Sequence, residues 1–218
     1  MNQLDIKDQA ENLPYRIYPR VQGITEELRS LYQDIDAATV GHITDFGYAT
    51  GIKPLFRPVR MLGNAVTVRI PHINGSIIRE ALKLSQPGDV LVIDMSGDDI
   101  RACWGELRTL AAMTKPLAGA VVSGCATDVK AITELGFPVY SRSTSALTTR
   151  NLDMEGEVNV PVSIGGATVR PGDLVLGDDD GLFFIDPAKA AELGHKALEI
   201  QKQEDKRRQE LTQMLPSK

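Results

Sequence analysis

The chain has 218 residues, 42% of them apolar and 24% charged, with a net charge of -5. That length buries about 70% of the unfolded surface, so a core holds without disulfides or a structural metal. An acidic balance argues against nucleic-acid binding, and the absence of apolar stretches of about 18 residues or of a charged leader argues against membrane spanning or export. The two cysteines, Cys103 and Cys125, have apolar or small neighbours and read as reduced core thiols of a cytoplasmic protein.

Residues 1–22 are polar, carry Pro14 and Pro19, and read as an arm lying over the surface or over a neighbouring subunit. A helix is predicted from Thr25 to Asp34, and a short capped one within Asp36 to Asp45. Residues 63–70 alternate as a strand does, and Ser76 to Ser85 is amphipathic at helical spacing. Pro87-Gly88-Asp89 is a turn feeding the apolar run Val90 to Asp94, which has the pattern of a fully buried strand. A helix over 105–114, a strand over 119–122, a small-residue turn Ser123 to Ala126, a helix over 128–135 closed by Gly136 and a strand over 137–141 follow. Strand and helix alternating at this spacing predict parallel βαβ units. From Val158 the chain becomes short-stranded and punctuated by glycine, and a second Pro-Gly-Asp turn, 171–173, feeds Leu174 to Leu176. The triplet Asp178-Asp179-Asp180 with Gly181 is a tight turn into Leu182 to Ile185 and lacks the twelve-residue calcium-loop pattern. A long polar helix is predicted from Pro187 to about Met214. The expected organisation is one domain: the arm 1–22, a core over 23–186 and the C-terminal helix 187–218.

Two acids carry the candidate chemistry. Glu106, after Gly105, opens a helix whose first amides, those of Leu107 and Arg108, are free to receive a small carboxylate. The same placement suits an acid that only complements the positive end of the helix dipole. Asp128 follows a strand and small residues at the rim where ligands of parallel sheets lie. It suits a Mg²⁺ ion that keeps most of its waters, and it equally suits the N-cap of the helix it precedes. Gly97-Asp98-Asp99 belongs to the same rim. His42, His72 and His195 have no spacing of a triad or a zinc set, and Trp104 reads as core.

From about Thr39 to Arg208 the chain resembles the RraA-like family, regulators of ribonuclease activity and class II 4-hydroxy-4-methyl-2-oxoglutarate aldolases. The resemblance rests on Gly63-x-Ala65-x-Thr67-Val68, Pro87-Gly88-Asp89, Trp104-Gly105-Glu106, Gly119 through Asp128, Pro138-Val139, Pro161-Val162, Gly165-Gly166, Val169-x-Pro171-Gly172-Asp173 and Gly177-Asp178-x-Asp180-Gly181. It implies an α/β/β layered core with parallel βαβ units, a glycine-rich β layer and a long C-terminal helix, assembled as a homotrimer or hexamer. It implies a site between subunits with Mg²⁺ or Mn²⁺ held by Asp128, a metal-bound water contacted by Glu106, and the substrate carboxylate held by the amides of Leu107 and Arg108 beside Gly105. Glu204, from a neighbour's C-terminal helix, is the match for the acid that closes that site.

One position departs from the pattern. The aldolases carry arginine just before the metal aspartate, where it binds the keto oxygen and steadies the enolate; this chain has Thr127. Losing such a donor typically costs about 10²–10³ in rate, and threonine offers neither the charge nor the fork. Arg101, Arg108 and Arg142 lie near enough in sequence to be candidate replacements. The expectation is a metal-dependent lyase, of aldolase or decarboxylase type, on a small 2-oxo or hydroxy acid altered from the standard substrate. The alternatives are a protein-binding regulator of a ribonuclease, and a ring that has lost its chemistry.

Overall fold

The computed structural model describes residues 15–216; the first part of the expected arm, residues 1–14, lies outside them. Twelve strands and six helices make up the described chain. The strands are β1 (Tyr15–Ile17), β2 (Lys53–Pro54), β3 (Met61–Arg69), β4 (Asp89–Asp94), β5 (Ala102–Trp104), β6 (Gly119–Ala126), β7 (Val139–Thr144), β8 (Gly156–Val158), β9 (Val162–Ile164), β10 (Ala167–Val169), β11 (Leu174–Gly177) and β12 (Leu182–Ile185). The helices are α1 (Glu26–Tyr32), α2 (Ala37–Gly41), α3 (Ile78–Leu84), α4 (Glu106–Met113), α5 (Val129–Leu135) and α6 (Pro187–Gln213).

The expected βαβ units are present. β3, β4, β6 and β7 lie side by side and parallel, with α3, α4 and α5 in the connections. Both faces of this sheet are buried, so its strands are apolar at consecutive positions rather than at alternate ones. Val66, Val68, Leu91, Ile93, Ala120 and Val122 face the helices. Ala65, Val90, Val92 and Val121 face the glycine-rich layer, whose β9–β10 hairpin supplies Val162, Ile164, Ala167 and Val169.

The nine-residue β3 joins these parts. Its first half pairs antiparallel with β11, which continues to β12, and its last two residues pair with β8. Behind β11 and β12 a third core, centred on Tyr32, Ile35 and Leu176, is closed by α1, α2 and α6. α6 starts as its sequence dictates, with Pro187 in the first turn and the Asp186 carboxylate accepting from the Ala188 amide at 2.9 Å.

Besides short strands that carry no period, sequence and structure differ at two segments. The segment from Tyr15, expected as an arm over the surface or a neighbour, is tied into the sheet of its own chain: β1 pairs parallel with β8, and Arg20 grips the buried Asp89 carboxylate with contacts of 2.7 and 2.5 Å. The expected turn Ser123 to Ala126 is strand. β6 takes an irregular step between Val122 and Cys125 and runs on, because β5 lies alongside Cys125 and Ala126. Gly124 is small for the loop beside it rather than for a ligand, since a Cβ there would stand 2.4 Å from the Asp98 carbonyl oxygen.

Candidate active site

β5 ends where α4 begins, and β6 ends where α5 begins, so the two helix starts lie together at the strand ends. The Thr127 amide ties them by donating to the Trp104 carbonyl at 2.8 Å. Trp104 is buried, stacks on Phe137 and donates its indole N–H to Thr109 Oγ1 at 2.9 Å. It is a packing anchor for the site, as its sequence context indicates.

Asp128 occupies the N-cap position of α5 in left-handed backbone, φ 55°, and its side chain caps nothing in its own helix. The carboxylate reaches across instead: Oδ2 accepts from the Glu106 amide at 2.9 Å, and the Thr127 hydroxyl lies 3.5 Å from Oδ1. Gly105 permits this approach, for a Cβ there would meet Asp128 Oδ2 at 2.4 Å. Asp128 and Glu106 are both exposed. The amides of Leu107 and Arg108 lie ahead of the first intrahelical bond of α4, which Thr109 N makes to the Gly105 carbonyl at 3.0 Å, so helix geometry leaves them available. Leu107 itself is 81% exposed at this opening.

Each of the three candidate arginines is engaged by other groups, and none hydrogen-bonds to Thr127 or Asp128 among the described residues. Arg108 turns inward, donating to the carbonyls of Cys103 and Gly75, and burial lowers its pKa. Arg101 is bound to Asp98 at 2.8 Å; burial opposes ionisation of that acid, but Arg101 and two backbone amides outweigh it and hold the carboxyl below its usual value. Arg142 donates Nε to the Ser123 carbonyl at 3.1 Å and lines a separate polar cleft of about 400 Å³ with Asp94, Ser96 and Ser163. Glu204 stands elsewhere in its own protomer, 3.5 Å from His42 Nε2 on the face lined by Arg60 and Asp178. Cys103 and Cys125 are free and buried, and burial pushes the Cys103 thiol up to about 12.

Among the described residues no group of three or more His, Cys, Asp or Glu side chains is arranged to hold a metal. A protomer therefore offers one carboxylate, Asp128, with Oδ1 lacking a short protein partner and a second exposed acid next to it. That donor set fits an oxygen-loving ion that retains water, such as Mg²⁺, and does not fit zinc.

Fold and site define a layered α/β protein with exposed acids at the carboxyl ends of its parallel strands. The model of the RraA-like (Aldolase/RraA) family matches residues 33–183, and the chain belongs to that family. A protein of Halalkalibacterium halodurans provisionally named 4-hydroxy-4-methyl-2-oxoglutarate aldolase is 36% identical over 156 residues, covering 72% of this chain and 74% of its own. Among solved structures, Streptomyces coelicolor RraAS2, described as an unusual member of the RNase ES inhibitor RraA family, superposes with a TM-score of 0.77 at 28% identity, over 87% of this chain and 99% of that one. The RNA-processing inhibitor RraA from a Thermus species gives a TM-score of 0.58 at 26% identity, over 76% and 94%. No helix among the described residues is long and apolar enough to cross a membrane.

Proposed function

We propose that this chain is a divalent-metal-dependent lyase that cleaves or decarboxylates a small 2-oxo or hydroxy acid. The observation that carries the reading is the Asp128 carboxylate, which turns away from its own helix and meets the start of α4 beside a second exposed acid. The aldolase name of the Halalkalibacterium relative points the same way.

In this reading Asp128 holds Mg²⁺ or Mn²⁺, which when bound supplies Lewis-acid polarisation of the carbonyl next to the substrate carboxylate. The amides of Leu107 and Arg108, at the positive end of α4, bind that carboxylate and orient the bond to be broken. Glu106 moves the proton through water. Thr127 offers a neutral hydroxyl where charge develops, which favours a product anion less basic than a pyruvate enolate or one steadied by its own substituents. Glu204 of a neighbouring subunit closes the cleft in a trimer or hexamer.

Purified protein with Mg²⁺ or Mn²⁺ is expected to turn over members of a panel of 2-oxo and hydroxy acids, sugar acids included. Asp128→Asn keeps an acceptor for the Glu106 amide while removing the charge, so metal affinity and turnover are expected to vanish with folding and assembly unchanged. No metal binding and no turnover across the panel would refute the reading. A second reading has one observation behind it: Leu107, Leu110 and Met113 leave an exposed apolar face on α4, and relatives of this fold inhibit a ribonuclease. Recovery of a ribonuclease or helicase in a pull-down, lost in Leu107→Asp but kept in Asp128→Asn, would favour the regulator.

A further inference from the structure

A second cleft, of about 480 Å³, shares no residue with the Glu106–Asp128 site. It opens between the 44–48 loop, the tip of the β9–β10 hairpin, the end of β12 and the first turns of α6. Its volume is in the range of small-molecule sites.

Asp173, which lines this cleft, is only 5% exposed. Oδ2 accepts from the Arg170 amide at 2.8 Å, and no other hydrogen bond to the carboxylate is present among the described residues. The other Pro-Gly-Asp turn shows what is missing. There Asp89 accepts from the Gln86 amide in the same three-residue fashion, at 2.8 Å, and its carboxylate also takes the Arg20 guanidinium. Asp173 has the same turn and is likewise buried, but no cation lies within ion-pair distance of it among the described residues. None of the ion pairs among the described residues involves Asp173, Arg170 or Lys189.

A buried carboxylate without a counter-ion is unfavourable. Burial accordingly raises the Asp173 pKa; the Arg170 amide and the Arg170 charge oppose the rise without cancelling it, and the neighbouring Asp186 carboxylate adds to it. Three acids lining one space, Asp173 with the exposed Asp45 and Asp186, call for a cation. The rim adds exposed Arg170 and Lys189, neither in a direct ion pair, which call for an anion, and Phe46, which is 90% exposed, stands at the mouth with Tyr48. A simple amine would leave the rim cations unmatched, and a simple acid would leave Asp173 unmatched.

We propose that this cleft binds a free α-amino acid with an apolar side chain. Its ammonium group pairs with Asp173, with Asp186 close by, its carboxylate meets Arg170 or Lys189, and its side chain lies against Phe46 and Tyr48. Bound there, between the first turns of α6 and the β9–β10 hairpin, it joins the C-terminal helix to the glycine-rich layer.

Calorimetric titration of the full chain with phenylalanine, leucine, phenethylamine and 3-phenylpropionate tests this. Phenylalanine is expected to bind saturably, and each single-group analogue more weakly. Asp173→Asn preserves the acceptor for the Arg170 amide, so the fold stands, and it should weaken phenylalanine roughly ten- to a hundredfold, the loss typical of a charge-assisted hydrogen bond. Phe46→Ala, at an exposed position, should weaken it severalfold, with circular dichroism unchanged in both variants. The proposal fails if neither phenylalanine nor leucine binds, if Asp173→Asn binds phenylalanine as the parent does, or if phenethylamine binds equally well. Because Asp128→Asn leaves this cleft intact, its binding should be normal in that variant, which separates failure here from failure of the lyase reading.

Discussion

Gly105 sits in ordinary extended backbone, φ −153°, so any residue fits its conformation; what excludes a side chain is the Asp128 carboxylate. Gly105→Ala should therefore fold normally but push Asp128 off the Glu106 amide, with weakened metal binding in titration and a fall in turnover of at least the magnitude of one lost oriented contact, about tenfold or more. Asp173 gives a pH signature. Its folded pKa lies above the ordinary aspartate value of 3.8, so its favourable contribution is complete below that value and is lost as pH rises through the folded pKa. Asp173→Asn should accordingly be more resistant to urea than the parent at neutral pH, with the gap closing as pH falls toward about 4. Single positions were only partly legible in the sequence. The small residue at 105 and the acids at 106 and 128 stand out by type and spacing. That Asp128 is left-handed and serves the helix next door, and that Arg108 turns into the protein, depend on contacts between segments more than twenty residues apart, which no local pattern encodes.

Longer elements were easier to read. The run Val90 to Asp94 and the helix of α6 emerge from apolar patterning and from Pro187 near the start, and both observed elements match within a residue or so. The strands that escaped, β1, β2, β5 and β8, have two or three residues each, too few for a period to show, and they are strands only because a partner lies beside them. β1 is held in place by a pair that its own sequence does not announce. Arg20 and Asp89 are 11% and 0% exposed in their side chains. Removing the guanidinium in Arg20→Ala leaves a buried uncompensated charge, and a loss of about 3–5 kcal/mol is expected in denaturant unfolding.

The proposed ring would complete the candidate site between subunits. Glu204 lies with His42, apart from Asp128 in its own protomer, so a shared site needs Glu204 of one subunit against Asp128 of another. Asp128→Asn and Glu204→Gln proteins should each be inactive alone. Co-refolded, they should regain a fraction of parental turnover through mixed rings holding one intact site, with sedimentation showing trimers or hexamers throughout; no regain would place Glu204 outside the chemistry. The forked pairing of β3 has a consequence for biosynthesis. Residues 61–69 emerge from the ribosome long before 156–158 and 174–177, which must flank them. A nascent chain halted near residue 150 would have β4 along one margin of that strand but leave the other unsatisfied, an edge open to chaperones and to mispairing between neighbouring nascent chains, so folding is expected to finish only after the last third has been translated.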